Sequence, residues 1–279
     1  MTQLPLGKLI AIGGAENRNS MEKEKLDVLG RILKEMKGKN TVLEIIPTAS
    51  GIPRSVARDY DRAFNSLGCK EARVMNIRKR TETGKKEFLD RIKTCDGVMF
   101  SGGDQTRLSE TFLNTEFLEI LKSRYQNEKD FVIAGTSAGA MAQSERMING
   151  GAPSEALIRG KALMIQGLGF ISTAIIDSHF INRGRFGRLM VAVAEYPEMT
   201  GIGISEDTGV IIREERYLEI IGNGLVVFMD GSELEYNSIK VGKGEMLNLE
   251  RMIFHLLSKG MGYDMKERKV VVNELAGRN

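Results

Sequence analysis

Ile133-Ala134-Gly135-Thr136-Ser137-Ala138-Gly139-Ala140 is the stretch on which the reading of the fold turns. A buried-looking apolar run enters a G-x-S-x-G pentapeptide and leaves it into a segment of helical pattern from Ala138 to Met147. A strand-to-helix turn this sharp holds its central residue in a strained conformation. Cβ atoms at the flanking positions would collide, so glycine at 135 and 139 meets a steric need. The Ser137 hydroxyl then stands at a helix N-terminus, whose free N–H groups can stabilise developing negative charge. The plainer alternative is a glycine-rich turn with Ser137 as an ordinary N-cap. The strand–turn–helix setting favours a nucleophile.

Upstream of this turn, short β-rich runs alternate with amphipathic stretches. Leu9 to Gly14, Thr41 to Pro47, Arg73 to Ile77, Gly97 to Phe100 and Phe131 to Ala134 read as strands. Between them lie helical faces: Leu26, Leu29, Ile32, Leu33 and Met36, then Val56, Tyr60, Ala63, Phe64 and Leu67, then Phe88, Leu89 and Ile92, and last Leu108 to Leu121. Such alternation with short loops means parallel strands, right-handed crossovers and a sheet covered on both faces. Ligands of open α/β sheets bind at the carboxyl ends of the strands. Four strands end there in small residues: Gly13-Gly14, Pro47-Thr48-Ala49-Ser50, Ser101-Gly102-Gly103-Asp104 and Gly135-Thr136-Ser137.

After Ser144 the rhythm changes. Thr173 to Asp177 reads as a strand and Arg185 to Tyr196 as a helix. Gly209 to Ile212, Tyr217 to Ile221 and Leu225 to Phe228 are short apolar runs, with Asn223-Gly224 and Asp230-Gly231 as expected hairpin turns between antiparallel strands. Without repeats or a Pro/Ser-rich linker, residues 1–279 are expected to form a single domain.

A nucleophilic serine needs a base. His255 sits in the apolar run Met252 to Leu257 and reads as packed; His179 ends a strand, as Ser137 does, and is the chosen base. For the carboxylate that would orient it, Glu155, Asp177 and Glu206 all stand open on the residues alone. The oxyanion would be held by the N–H of Ala138 and by the strand end carrying Gly103 and Asp104. Arg183, Arg185 and Arg188 follow His179 closely, and guanidinium forks there suit an anionic substrate.

Composition narrows the classes. Forty Lys and Arg against 37 Asp and Glu leave a net charge of +3, too even for a nucleic-acid partner. No apolar run nears the roughly 18 residues needed to cross a bilayer. The N-terminus shows no signal-peptide pattern, so a cytoplasmic location is expected. Two cysteines cannot build a disulfide framework and suit a reducing cytosol, and with only two histidines besides, a Cys/His zinc site is not expected; neither metal nor cofactor is expected.

Together, Gly13-Gly14-Ala15, Pro47 to Ser50, Gly102-Gly103-Asp104-Gln105, Gly135 to Ala140, Asp177-Ser178-His179-Phe180 and Gly201 to Asp207 resemble the cyanophycinases, in the serine peptidase family that also holds the aspartyl dipeptidases. The resemblance implies a flavodoxin-like α/β sheet related to class I glutamine amidotransferases, with Ser137 as nucleophile and His179 as base. It favours Glu155 as third member. It implies that Gln105, Asp177, Arg183, Arg185 and Arg188 bind substrate, that the substrate is cyanophycin (poly-aspartate carrying arginine on each side chain) or short Asp-Arg peptides, that the product is β-Asp-Arg, and that the enzyme is a homodimer. Ser178 departs from the family's usual Gln, and Ser205 from its usual Asp; both bear on the substrate and leave the triad untouched. An aspartyl dipeptidase on the same scaffold is the nearest rival. An amidotransferase needs Cys where Ser137 stands, and a lipase-like hydrolase places its His far nearer the C-terminus.

Overall fold

Apolar side chains alternate faces along the strands, and that alternation builds the two layers around the main sheet. Leu9, Ala11 and Ile133 join one core, whereas Ile10, Ile12, Val132 and Ala134 join the other. The computed structural model describes residues 4–18, 26–151, 155–158, 160–240 and 244–272. Its first five strands are β1 (Lys8–Ile12), β2 (Val42–Ile46), β3 (Glu71–Val74), β4 (Gly97–Phe100) and β5 (Val132–Thr136). They run parallel in the order β3-β2-β4-β5-β1, so their carboxyl ends share one edge.

The crossovers are helical: α1 (Asp27–Glu35), α2 (Pro53–Ser66), α3 (Lys86–Thr94), α4 (Thr106–Phe112) and α5 (Glu116–Asn127). In α2, Pro53 opens the first turn with its φ already set. Tyr60 and Phe64 point one turn apart into the core, both fully buried; truncating Phe64 would cost about 3–5 kcal/mol. Gly68, at φ +81°, closes the helix as its N–H and that of Cys69 return to Asn65 and Phe64. The helical pattern from Leu108 to Leu121 is two helices. Asn114 takes φ +54° and Thr115 caps α5 by accepting the Leu118 N–H at 3.3 Å.

The pattern from Ala138 is a single turn, α6 (Ala138–Met141), and the chain then enters β6 (Arg146–Asn149), which pairs with β7 (Leu163–Gln166). Gln143 ends the turn: its buried amide donates to the carbonyls of Ile10 and Ile133 at 3.2 Å each, locking the segment onto β1 and β5.

The remaining strands are β8 (Ala174–Asp177), β9 (Thr200–Ile204), β10 (Thr208–Arg213), β11 (Tyr217–Gly222), β12 (Leu225–Asp230), β13 (Tyr236–Asn237), β14 (Leu249–Glu250), β15 (Ile253–Ser258), β16 (Met261–Asp264) and β17 (Lys269–Val272), with α7 (Phe186–Glu195) between β8 and β9. Antiparallel β10, β11, β16 and β17 extend the main sheet beyond β1 to nine strands; β8, β9, β12 and β15 form a second sheet of four. The fold is the mixed α/β architecture expected, with its antiparallel strands toward the C-terminus.

Neither expected glycine dipeptide turns a hairpin. At Asn223-Gly224 the chain leaves one sheet for the other, because Asn223 N–H donates to Asp207 O and Gly224 N–H to the Thr208 hydroxyl, bending it away from β11. After Asp230-Gly231 the next strand pairs elsewhere. Hairpins lie instead between β10 and β11, through Glu214 and Glu215 at φ +56° and +48°, and between β16 and β17.

Candidate active site

Ser137 sits between β5 and α6 at φ +50°, ψ −112°, a conformation that a serine adopts only when its surroundings impose it. Here they do. Its N–H donates to Ile12 O at 2.9 Å, and a Cβ at Gly135 would collide with the Gly139 carbonyl. His179 follows β8, also at positive φ (+47°), with its N–H on Gly13 O at 2.7 Å. Its ring lies against Gly14, where any Cβ would strike it.

The imidazole joins two groups. Nε2 is 3.0 Å from Ser137 Oγ, and Nδ1 is 2.6 Å from Glu206 Oε1. Burial holds the His179 pKa below its ordinary value; the Glu206 hydrogen bond opposes this, while the charges of Arg183 and Arg185 add to it. Near neutral pH the ring is therefore uncharged and able to accept a proton.

Glu206, not Glu155, is the carboxylate on His179. Glu155 is exposed and lies 3.4 Å from Lys161 Nζ. The reason is topological. β8 and β9 are parallel neighbours with Asp177 opposite Gly203, so residues just past their ends share one edge, and 206 meets 179 there. Glu206 stands just past a strand end like Ser137 and His179, a shared position that points to it, whereas the family resemblance favours Glu155.

The loop after β4 approaches the serine closely: a Cβ at Gly102 would lie 3.2 Å from Ser137 Cβ. Asp104 leaves the expected set of oxyanion donors, since its N–H is committed to Ala49 O at 3.0 Å and its carboxylate caps Thr106. The N–H groups of Gly103 and Ala138 meet no acceptor among the described residues.

The arginines separate into two kinds. Asp177 is fully buried and is gripped by Arg188 through Nε at 2.6 Å and through Nη2, and by Arg185 Nη1 at 3.3 Å. Arg188, itself buried, also reaches Gly150 O. Both Asp177 and Arg188 are thus engaged internally, against the expectation of direct substrate contact. Burial pulls the Arg185 pKa down to about 10. Arg183 remains exposed beside His179. Gln105 donates to Ile148 O at 3.1 Å, and Ser178 is buried between Met141 and Arg185. His255, as expected, packs: its ring lies 5.3 Å from that of Tyr263. No three His, Cys, Asp or Glu side chains among the described residues cluster as metal ligands, and no described helix is long and apolar enough to cross a membrane.

The sequence profile of Peptidase family S51 matches residues 9–220, which include Ser137, His179 and Glu206. The chain belongs to that family. This S51 peptidase is a serine-type hydrolase. It is 33% identical over 267 residues to a cyanophycinase of Geminocystis herdmanii, covering 95% of this chain and 96% of that one. To a cyanophycinase of Trichormus variabilis it is 35% identical over 269 residues, covering 94% and 87%. Among solved structures it resembles a peptidase from an acI-B1 Actinobacterium, with a TM-score of 0.69 at 20% identity, covering 94% of this chain and 98% of that one. A putative peptidase E protein from Listeria monocytogenes gives a TM-score of 0.52 at 14% identity over 78% and 99%. At those identities the structures speak for the fold.

Proposed function

We propose that this S51 peptidase degrades cyanophycin, releasing β-Asp-Arg, with Ser137 as nucleophile, His179 as general base and Glu206 as the carboxylate that orients it. The observation that carries the reading is the unbroken line from Ser137 Oγ through the imidazole to Glu206 Oε1, with both hydrogen bonds at 3.0 Å or less. His179 Nε2 takes the Ser137 proton as Oγ attacks the carbonyl of the penultimate aspartyl residue. The tetrahedral oxyanion falls to the N–H groups of Gly103 and Ala138. His179 returns the proton to the leaving amine, and water, deprotonated by the same ring, releases the acyl group. Arg183, exposed beside His179, suits a substrate carboxylate. The substrate class is supported by the cyanophycinases that align over more than nine-tenths of this chain.

A second reading, an aspartyl dipeptidase, is favoured by one observation: with Arg185 and Arg188 engaged by Asp177, a single exposed arginine of the three is left, which is enough for a small dipeptide. Incubation with insoluble cyanophycin and, in parallel, with Asp-X dipeptides, read by mass spectrometry, separates the two. β-Asp-Arg from the polymer supports the first; turnover of dipeptides with an inert polymer replaces it by the second.

A further inference from the structure

Glu16 has no part in the chemistry so far, yet it is a carboxylate only 3% exposed. One of its oxygens accepts the hydroxyl of Tyr60 from α2, and the other accepts the hydroxyl of Thr136 at 2.6 Å. The cation beside it, Arg18, is 3.9 Å away and lies over the Tyr60 ring. Removing a carboxylate from water is costly unless strong partners replace it, so this side chain is a poor choice for mere filling. Its position supplies a better account. Thr136 immediately precedes the nucleophile. The loop that carries Glu16 touches the backbone behind all three groups of the reactive line: Ile12 O takes the Ser137 N–H at 2.9 Å, Gly13 O takes the His179 N–H at 2.7 Å, and Gly14 O takes the Asp207 N–H, next to Glu206, at 3.0 Å. The imidazole itself rests on Gly14. Residues 12–17 thus form the jig on which serine, histidine and glutamate are set, and Glu16 bolts that jig to β5 and α2.

We propose that Glu16 is a positioning residue for the Ser137–His179–Glu206 line, acting through Thr136 and Tyr60. The proposal rests on the catalytic reading above, so its test uses a probe that needs no knowledge of the peptide substrate. Full-length protein is treated with a fluorophosphonate, and both the rate constant of labelling and the final labelled fraction are read by intact mass. Glu16→Gln keeps the shape but loses one acceptor. A misplacement of the ångström order lowers reactivity by up to about a hundredfold, so a labelling rate constant at least about tenfold lower is expected, with the labelled fraction still complete. Thr136→Val should show a smaller fall of the same kind, and adding it to Glu16→Gln should cost little more. Wild-type rates in Glu16→Gln overturn the proposal. So does a reduced labelled fraction at an unchanged rate constant, which marks simple loss of folded protein. If Glu16→Gln does not fold, Thr136→Val decides by the same two readings. A wild-type protein that takes no label at Ser137 removes the catalytic reading itself, and the proposal with it.

Discussion

Two residues apart at the end of β8, Asp177 and His179 are held in opposite ways. Asp177 is sealed from solvent and shared between Arg185 and Arg188, so its geometry is locked. His179 keeps one carboxylate partner, one hydroxyl partner and an open side, with burial sufficient to keep it neutral but not to isolate it. The contrast shows what separates a charge used as structure from one used as chemistry. A buried ion pair with several donors resists change in protonation, whereas a ring between a donor and an acceptor is poised to pass a proton.

That contrast can be attacked first on its reactive side. Ser137→Ala should lower kcat by about 10⁶-fold, and Glu206→Gln by about 10³–10⁴-fold, without loss of folded protein, measured by β-Asp-Arg release and thermal melting. A Glu206→Gln enzyme with near-normal kcat would mean that the carboxylate on Nδ1 is structural, as Asp177 is. On the locked side, Arg188→Ala leaves Asp177 buried with a main partner gone. It should destabilise the fold by about 3–5 kcal/mol, lowering Tm by about 10 °C. An unchanged melting curve would break the distinction from that end.

The two sites meet electrostatically at Arg183, and a smaller effect should appear there. The acid limb of kcat/KM is expected below pH 6.5, because the His179 pKa is lowered. The Arg183 charge disfavours the imidazolium, so Arg183→Gln should raise the ring's pKa and move that limb to higher pH. KM for an anionic substrate should rise about two- to fivefold. A limb that moves down or stays fixed would show that Arg183 does not reach the ring. The smallest effect belongs to Glu155→Gln, expected within about twofold of wild type in kcat/KM, as befits an exposed side chain paired to a lysine.

Much of this was legible without coordinates. The parallel sheet followed from alternating strand and helix patterns, and Ser137 from five residues whose glycines the turn requires. His179 could be chosen because the chain has only two histidines and one of them lies in an apolar run. The helix break at Asn114-Thr115 was also written in the chain, as a residue tolerant of positive φ followed by a good N-cap, but the continuous apolar face on either side obscured it. The Asn-Gly and Asp-Gly dipeptides misled, because a turn dipeptide specifies a bend and not which strand the chain pairs with afterwards.

Local chemistry thus pointed to Ser137 on its elbow and to the class of sheet, since these depend on steric and periodic rules acting within a few residues. The partner of His179 lay beyond such rules. Glu155, Asp177 and Glu206 are equivalent as carboxylates, and choosing among them required knowing that β8 and β9 lie side by side with Asp177 opposite Gly203. The same holds for the arginines: a guanidinium looks alike in sequence whether it faces solvent or grips a buried aspartate, and only long-range packing around Asp177 sorted Arg183 from Arg188.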